Sequence, residues 1–163
     1  MSKVLILVNH DIVIYNFRLE LVERLLSDGH EVIVSSPYGE RIDKLVELGC
    51  KYVETTISRH GKNPIKDMNL IKQYKDIMDE YKPDIIFTYT IKPNIYGAYA
   101  ARKKGIPCVA NITGLGTAVE NGGKIRVIRV LLLHQGGGEA AGDKHRRQIQ
   151  KHLHQGDEAV VIR

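Results

Sequence analysis

Two polar stretches of this sequence carry residue types that can bind an anion or move a proton. In the first, residues 9–18, His10 stands beside Asp11 and offers an acid-base pair. Neighbours in sequence need not face each other, however, and a lone loop histidine is usually just solvated. In the second, residues 89–94, Lys92 directly precedes Pro93. We take both stretches as candidate functional segments.

The Lys92-Pro93 pair predicts an anion site. Proline suits the first position of a helix, because its missing N–H would have no helical partner there. The N–H groups of Asn94 and Ile95 are then expected to be free at the positive end of the helix, with the Lys92 charge beside them. Arg18 is expected to reach the same crevice, and together these groups suit a diphosphate. The alternative is an ordinary solvated lysine.

Glycine usage separates two kinds of phosphate site. Gly114-Leu115-Gly116 has backbone N–H groups that can cradle a phosphate or sugar, although glycine-rich turns without that role are commoner. The segment after the first strand contains no glycine and no G-x-G-x-x-G pattern, which argues against dinucleotide binding. We therefore expect no cofactor.

Neither the cysteines nor the histidines form a metal-binding pattern. Cys50 and Cys108 stand in or beside apolar strand sequence, where a buried thiol is the common state. Four of the seven histidines fall in residues 134–155, without an H-E-x-x-H or Cys/His pairing. We expect no metal and no disulfide.

The elements that must position these residues alternate strictly between strand and helix. Apolar strands are predicted at 4–8, 31–35, 51–55, 84–88 and 107–111. Asn16 is the predicted N-cap of the first helix, in which Phe17 begins an apolar stripe that ends before Gly29, and Asp67 is the predicted N-cap of the helix closed by Pro83. This alternation predicts an α/β fold, a Rossmann-like doubly wound parallel sheet of order 3-2-1-4-5.

In that topology strands one and four are neighbours, and ligands bind outside their carboxyl ends. The segments 9–15 and 89–94 are therefore expected to touch and to flank one crevice. The cysteines are expected to lie far apart, because strands three and five are at opposite edges.

Composition excludes several classes of protein. The chain has 163 residues, 43% hydrophobic and 26% charged, and lacks an apolar run of the roughly 20 residues that a spanning helix needs. The net charge of +5 is modest, and no basic run with interleaved aromatics is present, so no nucleic acid partner is expected. The first strand begins too early to leave room for a secretory signal, which favours a cytoplasmic location.

The end of the sequence changes character. Residues 124–133 predict an apolar helix with Arg126 and Arg129 on one edge, which suits either the core or an interface with anionic lipid. Residues 134–155 are rich in Gly, Gln and His, and 157–163 can form a sixth short strand. Residues 1–133 are thus one domain, and 134–163 are an atypical tail with a possible terminal helix and short strand.

Four spaced motifs, each after a predicted strand, resemble those of a known family. They are Tyr15-Asn16-Phe17-Arg18, Ser58-Arg59 with Asn63-Pro64, Thr90-Ile91-Lys92-Pro93-Asn94 with Gly97, and Asn111-Ile112-Thr113-Gly114-Leu115-Gly116. Over residues 3–133 the chain is similar to the N-terminal half of bacterial family 4 glycosyltransferases that build capsule, exopolysaccharide and lipid-linked oligosaccharides. It is near the bacillosamine-diphosphoundecaprenol N-acetylgalactosaminyltransferases.

The resemblance implies half of a GT-B enzyme, in which one Rossmann-like domain holds the acceptor and a second, absent from this sequence, holds the nucleotide sugar. It implies a retaining, metal-independent transfer of a hexose or N-acetylhexosamine to a lipid-linked diphosphate sugar acceptor in surface polysaccharide biosynthesis. The chain is then expected to bind a nucleotide sugar only together with a donor domain or a partner chain. Peripheral contact of the protein with the inner face of the cell membrane is also possible under this resemblance. The implied acceptor-binding residues are Asn9, His10, Tyr15, Phe17, Arg18, Arg59, Asn63, Thr90, Lys92, Asn94, Thr113, Gly114 and Gly116.

Two departures from the family pattern leave alternatives open. Many relatives have a histidine where this chain has Thr113-Gly114, so no catalytic residue is carried over. The tail reads either as an out-of-register translation or as a divergent helix and strand. Three interpretations remain. The first is the acceptor half of a transferase, which is expected to be inactive by itself. The others are a non-catalytic acceptor-binding subunit of a split transferase and a small flavodoxin-like binding module.

Overall fold

The computed structural model describes residues 1–57, 63–112 and 158–162. These ranges contain six strands and five α-helices. In chain order they are β1 (Lys3–Leu7), α1 (Asp11–Phe17), α2 (Leu19–Ser27), β2 (Glu31–Ser36), α3 (Ile42–Glu47), β3 (Lys51–Glu54), α4 (Pro64–Tyr81), β4 (Ile85–Tyr89), α5 (Ala98–Lys104), β5 (Cys108–Ile112) and β6 (Glu158–Ile162). A π-helical turn, Pro93–Gly97, runs directly into α5.

The sheet has the order β3-β2-β1-β4-β5-β6. The first five strands are parallel, with Leu5 of β1 paired to Ile33 of β2 and Ile86 of β4. This confirms the predicted order 3-2-1-4-5, in which β1 and β4 lie side by side where the winding reverses. The short sixth strand is also present, and it runs antiparallel to β5.

Two apolar layers cover the sheet, one on each face. Along β1 and the residue after it, Val4, Ile6 and Val8 pack on the face covered by α1, α2 and α3. Leu5 and Leu7 pack on the face covered by α4 and α5. All five residues are buried. The continuous apolar run therefore marks a central strand buried on both faces, as its pattern predicted.

The first helix differs from the prediction. Asn16 does not cap it, because the helical turns start at Asp11 and are interrupted at Arg18, whose φ of −139° separates α1 from α2. Phe17 ends α1 with 66% of its surface exposed, so it does not begin the buried stripe. The predicted loop after β1 is thus mostly helix. His10 is the N-cap residue of α1, a start signal that hydrophobic periodicity does not reveal.

The cap of α4 also differs from the prediction. Asp67 lies in the first turn, whereas the Asn63 side chain accepts hydrogen bonds from the N–H groups of Ile65 and Lys66, at 3.1 and 3.3 Å. Asn63 before Pro64 is the stronger start signal, because proline favours the first helical position. At the other helix ends Gly29 and Gly49 have φ of 79° and 109°, as expected of residues that terminate helices.

The thiols of Cys50 and Cys108 are free and buried in the layers on opposite faces of the sheet. Burial raises their pKa values to about 11 and about 12, respectively. Both are therefore core residues, as predicted, and the prediction that they lie too far apart for a disulfide is consistent with their places in the sheet.

Several predictions concern residues outside the described ranges. These are the helix at 124–133, the turn 114–116, most of the tail, and the site residues Arg59, Thr113, Gly114 and Gly116. Among the helices that the structure describes, none combines the length and the apolar character needed to span a membrane.

Candidate functional site

The carboxyl ends of β1 and β4 lie side by side, at the edge of the sheet where the crevice was predicted. Asn9 follows β1 and is half-buried, and Thr90 follows β4. Arg18, at the junction of α1 and α2, places its guanidinium carbon 5.5 Å from the ring centre of Tyr89, the last residue of β4. Arg18 therefore lies at the carboxyl edge of the sheet, beside the end of β4.

His10 and Asp11 are in direct contact at the start of α1. The Nδ1 atom of His10 contacts the Oδ1 atom of Asp11 and lies 3.3 Å from the N–H of Ile12. Asp11 is only 2% exposed, and its Oδ2 atom accepts a hydrogen bond of 2.9 Å from the N–H of Arg41. The acid-base pair that sequence adjacency alone left open is formed in the fold.

Opposing effects act on the Asp11 carboxyl group. Burial by itself would raise its pKa, but hydrogen bonds from the N–H groups of Arg41 and Ile12 and from His10 outweigh burial and lower the pKa. Gly39 packs so closely that a Cβ atom there would overlap the Asp11 carboxylate. The segment between β2 and α3 thus supplies both the donor and the space that this buried carboxylate needs.

Tyr15 and Phe17 lie on α1 with different surroundings. Cations of α3 and its approach, Arg41 and Lys44, stand 5.2 and 5.5 Å from the ring centre of Tyr15. The Phe17 ring is largely exposed. Tyr15 is therefore part of a packed cluster between α1 and α3, while the Phe17 ring lies at the surface.

Lys92 is paired with the carboxylate of Asp67, the residue that was predicted to cap α4. Its ammonium lies 2.8 Å from Oδ1 of Asp67, and the hydroxyl group of Tyr96 donates to Oδ2 of Asp67 at 2.8 Å. The contact with Lys92 lowers the pKa of Asp67, and burial together with Asp67 raises that of Tyr96 to about 12. The three side chains join the first turn of α4 to the segment after β4.

The prediction of a free Asn94 N–H is wrong, because that group donates to the carbonyl of Thr90 at 2.9 Å. The Asn94 side chain is also engaged: Thr88 donates to its Oδ1 atom at 2.7 Å, and its amide donates to the carbonyl of Asn111 at 2.9 Å. Asn94 therefore ties the ends of β4 and β5 together. The helical conformation begins earlier than Pro93, which is why this N–H has a partner.

Thr90 has an unusual backbone conformation directly after β4. Its φ is 71°, in the left-handed region that a β-branched residue rarely adopts. Its hydroxyl oxygen is buried and has no hydrogen-bond partner among the described residues. The π-helical turn that follows, Pro93–Gly97, is a feature often found at functional sites. Strain of this kind is typical of a position that meets a ligand.

Nine of the thirteen predicted site residues lie in the described ranges. Five of them follow β1 or β4: Asn9, His10, Arg18, Thr90 and Lys92. Asn63 caps α4, whose first turn contains Asp67, the partner of Lys92. Sequence reasoning missed four partners, Asp67, Tyr96, Gly39 and Arg41. Asn63-Pro64 was the available signal for the start of α4, but nothing in the sequence marked the long-range contacts of Gly39 and Arg41.

No cluster of three or more His, Cys, Asp or Glu side chains that could hold a metal ion occurs in the described ranges.

Comparison with known proteins identifies the family. The model of the family described as glycosyl transferase 4-like matches residues 3–134. An N,N'-diacetylbacillosaminyl-diphospho-undecaprenol alpha-1,3-N-acetylgalactosaminyltransferase of Campylobacter jejuni is 29% identical over 121 residues, which are 73% of this chain and 32% of that protein. The chain thus spans about a third of this curated relative.

Solved structures with the same fold belong to more than one class of enzyme. A glycosyltransferase from Rickettsia africae is 20% identical, with a TM-score of 0.59 over 77% of this chain and 35% of its own. A deacetylase of teicoplanin biosynthesis is 14% identical, with a TM-score of 0.59 over 98% and 97%. At these identities the likeness establishes the fold alone.

The chain belongs to the glycosyl transferase 4-like family, because that family's model covers most of its length. Its sheet order is that of the Rossmann-like half of a GT-B glycosyltransferase, and a glycosyltransferase is among its structural neighbours.

Proposed function

We propose that this chain is the acceptor-binding half of a retaining, metal-independent glycosyltransferase. The transfer is of a hexose or N-acetylhexosamine from a nucleotide sugar to a lipid-diphosphate-linked acceptor, in the biosynthesis of a surface polysaccharide. The observation that carries the proposal is the similarity to a relative whose name specifies a diphospho-undecaprenol-linked sugar. The family match over residues 3–134 favours this reading over a flavodoxin-like binding module.

The diphosphate of the acceptor is assigned to the crevice beside Lys92 and Arg18. Both cationic side chains stand at the carboxyl edge of the sheet, where ligands of doubly wound folds bind. Asp67 balances the charge of Lys92 in the unliganded protein, and a bound diphosphate would compete with Asp67 for the ammonium. Of the other candidate residues, Asn9, His10, Phe17 and Thr90 are proposed to line the approach to the sugar.

A binding measurement tests the assignment. Lys92→Ala is expected to weaken binding of a short-chain prenyl-diphosphate sugar about tenfold at fixed low salt, because a charge-assisted contact is lost. Asp67→Asn is expected not to weaken it, since the carboxylate that competes for Lys92 is removed. Lys51→Ala is the matched control: Lys51 also pairs with a carboxylate, Glu31 at 3.0 Å, but lies at the first residue of β3.

Equal affinity of the Lys92→Ala and Lys51→Ala proteins, with both folds intact by circular dichroism, would place the diphosphate elsewhere.

Peripheral contact with the cytoplasmic face of the membrane is part of the proposal. Ile65, Met68 and Ile91 form an exposed apolar patch, with 80%, 71% and 59% of their surfaces exposed. Ile65 and Met68 are three residues apart on α4 and so share one face, and the Asp67–Lys92 ion pair brings Ile91 to the same region. Lys66 and Lys72 are exposed on the same helix. An apolar patch with lysines around it suits an anionic lipid surface.

A non-catalytic subunit of a split transferase is the alternative within the same family. It would use the same acceptor crevice and differ only in obtaining its donor domain from another chain. Co-purification of this chain with a second protein that binds a nucleotide sugar would favour that alternative.

A further inference from the structure

The contact between His10 and Asp11 defines where a proton must lie. An ionised carboxylate is only an acceptor, so the hydrogen in this contact belongs to Nδ1 of His10. With that hydrogen in place, Nδ1 has no lone pair left for the N–H of Ile12, 3.3 Å away. The N–H of Ile12 is also among the groups that lower the pKa of Asp11, so it acts on the carboxylate as well.

The surroundings of Asp11 keep it in the ionised form that this arrangement needs. The N–H of Arg41 donates to its Oδ2 atom at 2.9 Å, and the close approach of Gly39 leaves no room for the carboxylate to turn away. A buried carboxylate supplied with backbone donors is stabilised as the anion. Asp11 is thus fixed in both charge and position by residues of a different loop.

The other nitrogen of the ring is left for a ligand. In the part of the chain that the structure describes, Nε2 of His10 makes no hydrogen bond, and 30% of the side chain is exposed. In a neutral imidazole with its hydrogen on Nδ1, Nε2 carries a lone pair. A lone pair accepts a hydrogen bond from a hydroxyl group and is repelled by a phosphate oxygen.

We infer that His10 binds a hydroxyl group of the acceptor sugar through Nε2, and that Asp11 is the positioning residue that holds its imidazole in the Nδ1–H form. The inference rests on the proposed function, and it names the chemistry of one contact in that site. The diphosphate and the sugar hydroxyl are then recognised by different residues, Lys92 and His10.

The tautomer can be measured without any ligand. In protein with ¹⁵N-labelled histidine at alkaline pH, long-range ¹H–¹⁵N spectra distinguish Nδ1–H from Nε2–H. Signals of His10 are those lost in His10→Gln. The wild-type ring is expected to be Nδ1–H. In Asp11→Asn the amide oxygen must face the N–H groups of Arg41 and Ile12, which turns the amide N–H groups toward His10 and shifts the ring to Nε2–H.

Asp28→Asn, an exposed carboxylate at the end of α2, is the control and should leave the tautomer unchanged. An Nε2–H ring in the wild-type protein, or the same tautomer in the wild type and in Asp11→Asn, overturns the inference. If Asp11→Asn does not fold, Gly39→Ala replaces it, because its methyl group displaces the Asp11 carboxylate without altering its charge.

Acceptor affinity provides the second readout and separates this inference from the proposed function. Asp11→Asn and His10→Ala are each expected to weaken binding of the prenyl-diphosphate sugar about tenfold, with no further loss in the double variant. If the wild-type protein binds the acceptor and both single variants bind it with the same affinity, the role of His10 is overturned and the proposed function still stands. Absence of binding by the wild type contradicts the proposed function, while the tautomer still reports on Asp11.

Discussion

The Lys92 ammonium lies 2.8 Å from the Asp67 carboxylate, although 25 positions of the chain separate the two residues. Both side chains are mostly buried, at 18% and 15% exposure. The ion pair connects the first turn of α4 with the segment that follows β4. It also sets the electrostatic state of the crevice, since the lysine is already balanced before any ligand arrives.

Loss of this ion pair should lower stability in a pH-dependent way. At pH 7 Asp67→Asn is expected to reduce the free energy of unfolding by about 1 to 2 kcal/mol, because a hydrogen bond to a charged group is lost. The pKa of Asp67 is lowered in the fold, so its contribution is present above the unfolded value of about 4 and disappears as the pH falls through the lower folded value. Urea unfolding at pH 7 and near pH 3 measures both effects.

The control is Asp79→Asn on the same helix, which removes the more exposed pair with Lys104. That change should cost less than about 0.5 kcal/mol. A difference between wild type and Asp67→Asn that persists undiminished at low pH would show that the carboxylate charge is not the source of the stabilisation.

Gly97 should not tolerate a side chain. A Cβ atom there would stand 2.7 Å from Cδ1 of Leu7 and 3.1 Å from Cγ2 of Thr88, so the π-helical turn packs directly on β1 and β4. Gly97→Ala is expected to destabilise the fold by about 1 to 3 kcal/mol through overpacking. The midpoint and slope of urea unfolding provide the test. Asn69→Ala, exposed on α4, should not lower stability, and equal behaviour of the two variants would contradict the close packing.

The exposed apolar patch should govern attachment to anionic vesicles. Ile65→Glu combined with Met68→Glu is expected to remove most of the protein from the floating fraction in flotation with vesicles that contain phosphatidylglycerol, because two apolar contacts are replaced by repelled charges. Val46→Glu combined with Leu48→Glu is the matched control, since these residues are also exposed and apolar but lie at α3. An equal loss in both double variants would indicate a general charge effect.

The 163-residue chain should transfer no sugar by itself. The relative with a known reaction is about three times longer than the matched region, and the groups that neutralise a donor diphosphate are expected in the part that this chain does not match. Incubation with radiolabelled nucleotide sugars and a prenyl-diphosphate sugar measures this directly. Turnover by the purified chain would place donor-binding groups within these 163 residues. Acceptor binding without turnover is the expected result.

Sequence alone determined the sheet and most of its core. The continuous apolar run of β1 and the strict alternation of strands and helices leave few arrangements for a chain with right-handed crossovers, so the order 3-2-1-4-5 followed. The motifs after the strands were sufficient to predict the family. These properties depend on periodicity and on residues near one another in the chain, which is why they can be read without coordinates.

Tertiary structure alone decided the state of the candidate site. Whether His10 meets Asp11, whether Lys92 is balanced and whether the Asn94 N–H is free all depend on the distances and directions set by the fold. Asp11 is held by Arg41, 30 positions away, and Lys92 by Asp67. Hydrogen bonds and ion pairs act over a few ångströms and in particular directions, so spacing along the chain predicts which residues gather in the crevice but not which of them pair there.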